Sequence, residues 1–278
     1  MSGRKKKLSL KLKRYNVILI IALIVLMLLL GVLMICQMFS NSSVYRIEPR
    51  HENIKKSQKN DQSSFKTIGW VRVQGTNIDY PLYGLIGRTF DYTVKESYLW
   101  SLNRDEDFHD MMIVYGHNVM NRGAKITAHD SQHTRMEQLM NFVFYDFAQK
   151  NQYIQLTING EDYLYQVFAV NFMPASNLDE YPTGEWKQVD INKYVDRLLK
   201  ESIYDFDTKY TEGDKVLSVV TCSKFFPDDN DYDFIVTGRM LRAGEEVRLS
   251  KVHRNKNYAE IDEILKGAEE DEESTDEA

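Results

Sequence analysis

The chain has 278 residues, 43% of them hydrophobic and 12% aromatic, with a formal net charge of −6. That length suits one membrane segment plus one packed domain of ordinary size. The acidic balance argues against nucleic-acid binding as the main task, because such domains are usually basic.

The charge is unevenly placed. Seven Lys or Arg residues (Arg4, Lys5, Lys6, Lys7, Lys11, Lys13, Arg14) precede a stretch from Tyr15 to Phe39 that carries none and is mostly Leu, Ile, Val and Met. At about 1.5 Å rise per residue this stretch can cross a hydrocarbon core of roughly 30 Å. The basic cluster predicts a cytoplasmic N-terminus, with the residues from about 40 onward outside. A cleaved signal peptide is the alternative. The apolar stretch is long for that, and no clear small-x-small site follows it. The expected organisation is a basic cytoplasmic segment at 1–14, a transmembrane anchor at 15–39, an extracellular stalk at 40–64, a catalytic domain at 65–250 and an acidic tail at 251–278.

The stalk is polar and predicts partial helix from Val44 to Lys59. Thr67 to Val73 reads as a strand, with Ile68, Trp70 and Arg72 on the opposite face from Val71 and Val73. Gly75-Thr76-Asn77 is a turn, and Ile78 to Pro81 resumes extended structure. Met111 to Tyr115 is an apolar run of strand length. Arg135 to Phe144 has helical spacing through Met136, Leu139, Met140 and Val143. Tyr153–Ile158 and Tyr163–Val170 flank Asn159-Gly160, a dipeptide that favours a type I′ hairpin turn. Val189, Tyr194, Val195, Leu198 and Leu199 predict one helical face across 189–203. Val216–Thr221 and Phe234–Leu241 are two more strands. The tail holds one helical pattern (Tyr258, Ile261, Ile264, Leu265) before a disordered-looking acidic end. The whole is mainly β, with helices in the connections, which suggests a barrel or sandwich of about 180 residues.

There are two cysteines, Cys36 inside the apolar stretch and Cys222 at the end of the run Val216-Leu217-Ser218-Val219-Val220-Thr221. A thiol outside the cell cannot pair with one in lipid, so it needs burial or a job. Cys222 is therefore the candidate nucleophile, and a cysteine nucleophile needs a neighbouring base, usually histidine. His51 and His253 fall in the stalk and tail. His117 follows the apolar run directly, in Tyr115-Gly116-His117-Asn118, where a rigid strand end can project a side chain at the rim of a sheet.

This order of features resembles the sortases, the cysteine transpeptidases of Gram-positive surfaces. They carry an N-terminal anchor, a β-barrel, a histidine after a strand and a cysteine closing a strand in a Thr-Leu-x-Thr-Cys pattern. Here the pattern reads Ser218-Val219-Val220-Thr221-Cys222, so only the last Thr and Cys match literally. Class B is the most similar. Ile68-Gly69-Trp70-Val71, then Gly75-Thr76-Asn77-Ile78-Asp79-Tyr80-Pro81, resemble its opening strands. Tyr115-Gly116-His117-Asn118 resembles its histidine motif, and the 189–203 helix sits where that class carries a long one. The resemblance covers roughly residues 65–242.

It implies a closed sortase-like barrel after the transmembrane helix, in a single-pass cell-membrane protein whose catalytic domain is extracellular. It implies a Cys222 thioacyl-enzyme with His117 exchanging protons, and substrate contacts from Thr221 and Asn118, Thr221 orienting the site through its hydroxyl or backbone. The expected partners are a sorting-signal peptide and an amine from peptidoglycan or a pilin-like protein. No cofactor is expected. One position departs from the family. Sortases carry an arginine at the start of the strand after the cysteine; here Asp233 stands there. Arg239 lies six residues on, roughly 20 Å along a strand, and in an antiparallel pair would sit beside the start of the cysteine strand. Lys224, Arg122 and Arg242 are the candidate replacements, with Lys224 nearest the cysteine. A short insertion in the strand alignment, or weak catalysis, are the other readings. The alternative function is a sortase-fold protein that binds peptide or scaffolds partners with little turnover. A third is a hydrolytic peptidase, in which water resolves the intermediate.

Two further clusters favour bland readings. Asp229, Asp231 and Asp233 alternate as in a calcium loop, but the glycine and late glutamate of an EF-hand are missing. His129 and His133 are four apart without the metalloprotease glutamate. Trp70, Trp100 and Trp186 read as core or groove residues, with Tyr181 and Trp186 as candidate groove aromatics.

Overall fold

The structure, a computed structural model, describes residues 45–61, 65–85, 99–103, 105–118, 136–175, 184–228 and 230–276, with 23–27, 29 and 31. The basic segment and most of the predicted anchor lie outside the described residues, as do Cys36, Arg122, His129, His133 and Tyr181. The residues described between 23 and 31 are helical. No described helix is long and apolar enough to cross a membrane.

Among the described residues, eight strands close a barrel in the order β1-β2-β3-β4-β8-β9-β6-β5. They are β1 (Phe65–Val73), β2 (Asp79–Leu85), β3 (Leu99–Ser101), β4 (Met111–Gly116), β5 (Tyr153–Ile158), β6 (Glu161–Pro174), β8 (Val216–Ser223) and β9 (Tyr232–Met240). A short β7 (Tyr204–Phe206) pairs outside the barrel with β10 (Val252–Arg254). The helices are α1 (His51–Gln58), α2 (Tyr145–Lys150), α3 (Gln188–Glu201) and α4 (Tyr258–Asp276), with a 3-10 helix at Met136–Val143. The hairpin at Asn159-Gly160 has φ of 54° and 80°, as a type I′ turn requires.

Strand alternation sorts side chains into two cores. Leu217, Val219, Phe234 and Val236 point inward, with Met112 and Val114 from β4. Val216, Val220 and Ile235 point outward, with Met111, Ile113 and Tyr115, and are covered by Ile191, Val195 and Leu198 of α3. The predicted helix is present, but its buried face differs from the sequence expectation. Val189 is 53% and Leu199 43% exposed. Ile191, Val195 and Leu198 follow the i, i+4, i+7 spacing, and Val189 lies about 160° around the helix from Ile191.

The domain is wider than 65–250. The compact unit runs from Ile47 to Ala278, so much of the predicted stalk and the first part of the tail belong to it. Before β1, Arg50 clasps Asp79 of β2 with Nε at 3.0 Å and Nη2 at 2.7 Å. Asp61 accepts from the Thr67 amide and hydroxyl. After β9, Val252, Tyr258 and Ile261 join the inner core. Burying a side chain of that size contributes about 1.5–3 kcal/mol. A chain ending at Ser250 is therefore expected to unfold at a clearly lower urea midpoint than the full chain. An unchanged midpoint would show that the tail adds nothing to the fold.

Candidate active site

β4 and β8 run parallel, paired from Met111↔Val216 to Gly116↔Thr221. The next position on each strand is His117 and Cys222. Adjacent strands lie about 4.8 Å apart, so the register sets the imidazole and thiol side by side. Both continue the outward-facing row: Ile113, Tyr115, His117 on one strand and Ser218, Val220, Cys222 on the other. Cys222 is a free thiol and half-buried. Its Sγ donates to the carbonyl of Asn118 at 3.5 Å, so the chain leaving β4 curls beside the sulfur. His117 packs edge-on against Trp100, ring centroids 5.1 Å apart, and the Met136 amide donates to its carbonyl at 3.4 Å.

Two local features hold this corner. Gly116 precedes the histidine, and a Cβ there would meet Leu99 Cδ2 and Met136 Cγ, each at 2.5 Å. Only glycine lets β4 end so tightly against its neighbours. Thr221 Oγ1 donates to the Gly116 carbonyl at 2.7 Å in a fully buried bond. Thr221 is wholly buried at this junction. Its side chain faces inward, away from the thiol, and its hydroxyl ties the cysteine strand to the histidine strand. Asn118 is buried and meets the sulfur through its backbone.

On the other side of Cys222 stands Asp233, its direct antiparallel partner. Directly opposed residues share a face, with Cβ atoms about 4.5–5.5 Å apart. Asp233 is 1% exposed, its Oδ1 accepts no hydrogen bond from the described residues, and its partner on β6 is Met173. Burial, then the nearby Asp231 charge, push its carboxyl up to about 7. Sequence spacing correctly marks position 233 as the cysteine's neighbour, but not its protonation state, which depends on burial.

The other candidates fall elsewhere. Arg239 pairs with Val216, at the far end of β8, and forms a bidentate pair with Glu245 at 2.7 and 2.5 Å. Arg242 is held by Asp214. Lys224 remains near the site, 3.8 Å from Asp231. Asp228 accepts from Asn230 Nδ2 and Tyr232 Oη; Asp229 lies outside the described residues. Trp100 and Trp186 are buried in the outer core. The register thus brings a thiol, an imidazole and an acid to neighbouring positions on one face.

No family model matches the chain. Sortase B of Listeria monocytogenes is 24% identical over 191 residues, 65% of this chain and 69% of that protein. The structure of Clostridium perfringens sortase B superposes with a TM-score of 0.52 at 22% identity, covering 68% of this chain and all of that one. A Staphylococcus aureus sortase B–substrate complex superposes at 0.50 and 18% identity, covering 75% and 92%. The closed barrel matches the sortase fold, and the resemblance is to class B.

Two variants test the site's physics. Thr221→Val keeps the shape but removes the buried hydroxyl-to-carbonyl hydrogen bond, at a cost of about 0.5–1.5 kcal/mol. Urea unfolding should show that loss; wild-type stability would mean the bond contributes nothing. For Asp233, the unfolded chain releases its proton near the ordinary value of about 4, and the folded chain only near 7. Stability contributed by the protonated form is therefore present at low pH and lost as pH rises through that window. The melting temperature of Asp233→Asn, relative to wild type, should rise from about pH 4 to about pH 8. A constant offset would show an ordinary carboxyl.

Proposed function

From the class B sortase resemblance and the β4–β8 register, we propose that the chain is a sortase-type cysteine transpeptidase, held in the cell membrane by residues 15–39. Its N-terminus is cytoplasmic and its catalytic domain extracellular. The register that sets Cys222 beside His117 on the outer face carries this reading. Cys222 gives its proton to His117, and the thiolate attacks the carbonyl after a threonine-like residue of a sorting signal. The C–S bond forms as the carbonyl π pair moves to oxygen. Collapse breaks the C–N bond, and the leaving amine takes the proton from the imidazolium. An amine of peptidoglycan or of a pilin-like protein then attacks the thioester, losing its proton to His117 as the thiolate leaves. No cofactor enters this sequence.

One observation favours a second reading, a sortase-fold protein that binds peptide with little turnover. Arg239 and Arg242 are tied to Glu245 and Asp214, and an acid faces the thiol. Loss of one donor to the acyl oxygen typically slows such chemistry about a hundred- to a thousand-fold.

The test is intact mass of the full chain in detergent with synthetic peptides carrying threonine before the scissile bond. The expected result is an acyl adduct that clears on adding triglycine. The adduct should be absent in Cys222→Ala and form about a hundred- to ten-thousand-fold more slowly in His117→Ala. Peptide bound without an adduct would select the second reading. Clearance at equal rate with and without triglycine would make the chain a hydrolase.

A further inference from the structure

We infer that Asp233 is a positioning residue for the nucleophile: in its neutral form it donates a hydrogen bond from its carboxyl O–H to the Cys222 thiolate. The inference rests on Cys222 being the nucleophile and goes beyond that by naming what stabilises its charge. Three observations carry it. The two residues are directly opposed on β8 and β9, on the same outward face. Asp233 is almost wholly buried, with an oxygen that has no partner among the described residues, the Cys222 thiol included, so it is free to turn to the sulfur once the thiol ionises. Its strand neighbour on the far side, Met173, offers no polar group that would solvate a carboxylate.

A buried carboxylate without hydrogen bonds is costly, and proteins relieve that cost by keeping the proton. A thiolate alongside strengthens the effect, since two like charges about 5 Å apart disfavour joint ionisation. While Asp233 is neutral it offers the thiolate a donor. The proton that leaves Sγ goes to the His117 imidazole, and Asp233 keeps its own. Once Asp233 ionises it becomes a repelling charge and the thiol holds its proton.

These are the charged and titratable groups around the pair among the described residues. His117 faces it from the end of β4. Asp231 precedes it on β9 and is offset by Lys224 at 3.8 Å. From α3, Tyr194 donates to Ser218, two positions of the outer row back from Cys222. The raised value of the Asp233 carboxyl, about 7, places the reversal near neutral pH.

The test follows iodoacetamide alkylation of Cys222 across pH in the full chain in detergent, read by peptide mass spectrometry, in wild type, Asp233→Ala and Asp233→Asn. Iodoacetamide needs only a thiolate, so the result does not depend on any sorting peptide. A hydrogen bond to a charged group is worth about tenfold in the thiolate fraction. Below about pH 6.5 the wild type should react about tenfold faster than Asp233→Ala. Above about pH 8 the order should reverse by a similar factor. Asp233→Asn, a donor that cannot ionise, should match wild type at low pH and exceed both at high pH. The crossing is the signature that a purely structural role would not produce. Wild type slower than Asp233→Ala at every pH would show an ordinary carboxylate and overturn the inference. Equal rates at every pH would overturn it also. If the crossing appears but no peptide adduct forms, the pair stands and the transpeptidase reading falls.

Discussion

The parallel pairing of β4 with β8 is the constraint on which this molecule depends. It closes the barrel between two strands separated by about a hundred residues of chain. A parallel pair cannot be joined by a tight turn. The 3-10 helix, α2, the β5–β6 hairpin, α3 and β7 all lie within that return path. Fixing such a long connection costs entropy before any contact rewards it. The reward is two cores, because β4 and β8 are buried on both faces along their whole paired length. The juxtaposition of His117 and Cys222 is a by-product of the same register. Gly116 beside Thr221 leaves His117 beside Cys222, with one buried hydroxyl and one absent Cβ holding the corner.

The outward face changes character along its length. Near the start of β8 it is apolar and covered by α3. Near the end it presents Cys222, Asp233 and His117, past the last buried turn of apolar contacts. A sheet that is dry at one end and chemically equipped at the other gives the reactive groups a rigid base and a low local dielectric. That dielectric explains the electrostatics better than a count of charges does. Arg239, Glu245, Arg242 and Asp214 satisfy one another at the opposite end of β8 and β9. Among the described residues, the site is left with an acid whose ionisation is suppressed by burial rather than compensated by a cation.

The barrel is also braced at both ends of the chain. Arg50 and Asp61 fasten the segment before β1, and β10 with α4 closes over β7 and the inner core. Both lie in stretches whose composition is polar and charged, where one or two well-placed side chains carry the attachment. Composition averages over those few residues, which is why the stretches resemble a stalk and a loose tail.

Much of the fold and the site is legible in the sequence. β1 follows from its two-residue alternation, β4, β8 and β9 from their continuous apolar runs, the type I′ turn from Asn159-Gly160, and Cys222 and His117 from their places at two strand ends. Local chemistry sets these features, so local sequence reveals them. Other features needed the tertiary structure. The three-residue strands β3, β7 and β10 have no period to read. The buried face of α3 is chosen by the outer core it covers, not by its most hydrophobic residues. The partner of Thr221 is a carbonyl 105 residues away. Above all, sequence shows an aspartate where the resemblance expects an arginine, while only the packing of β8, β9 and β6 makes that aspartate a buried acid. Its proton is decided by desolvation, a property of the surroundings that no single residue encodes.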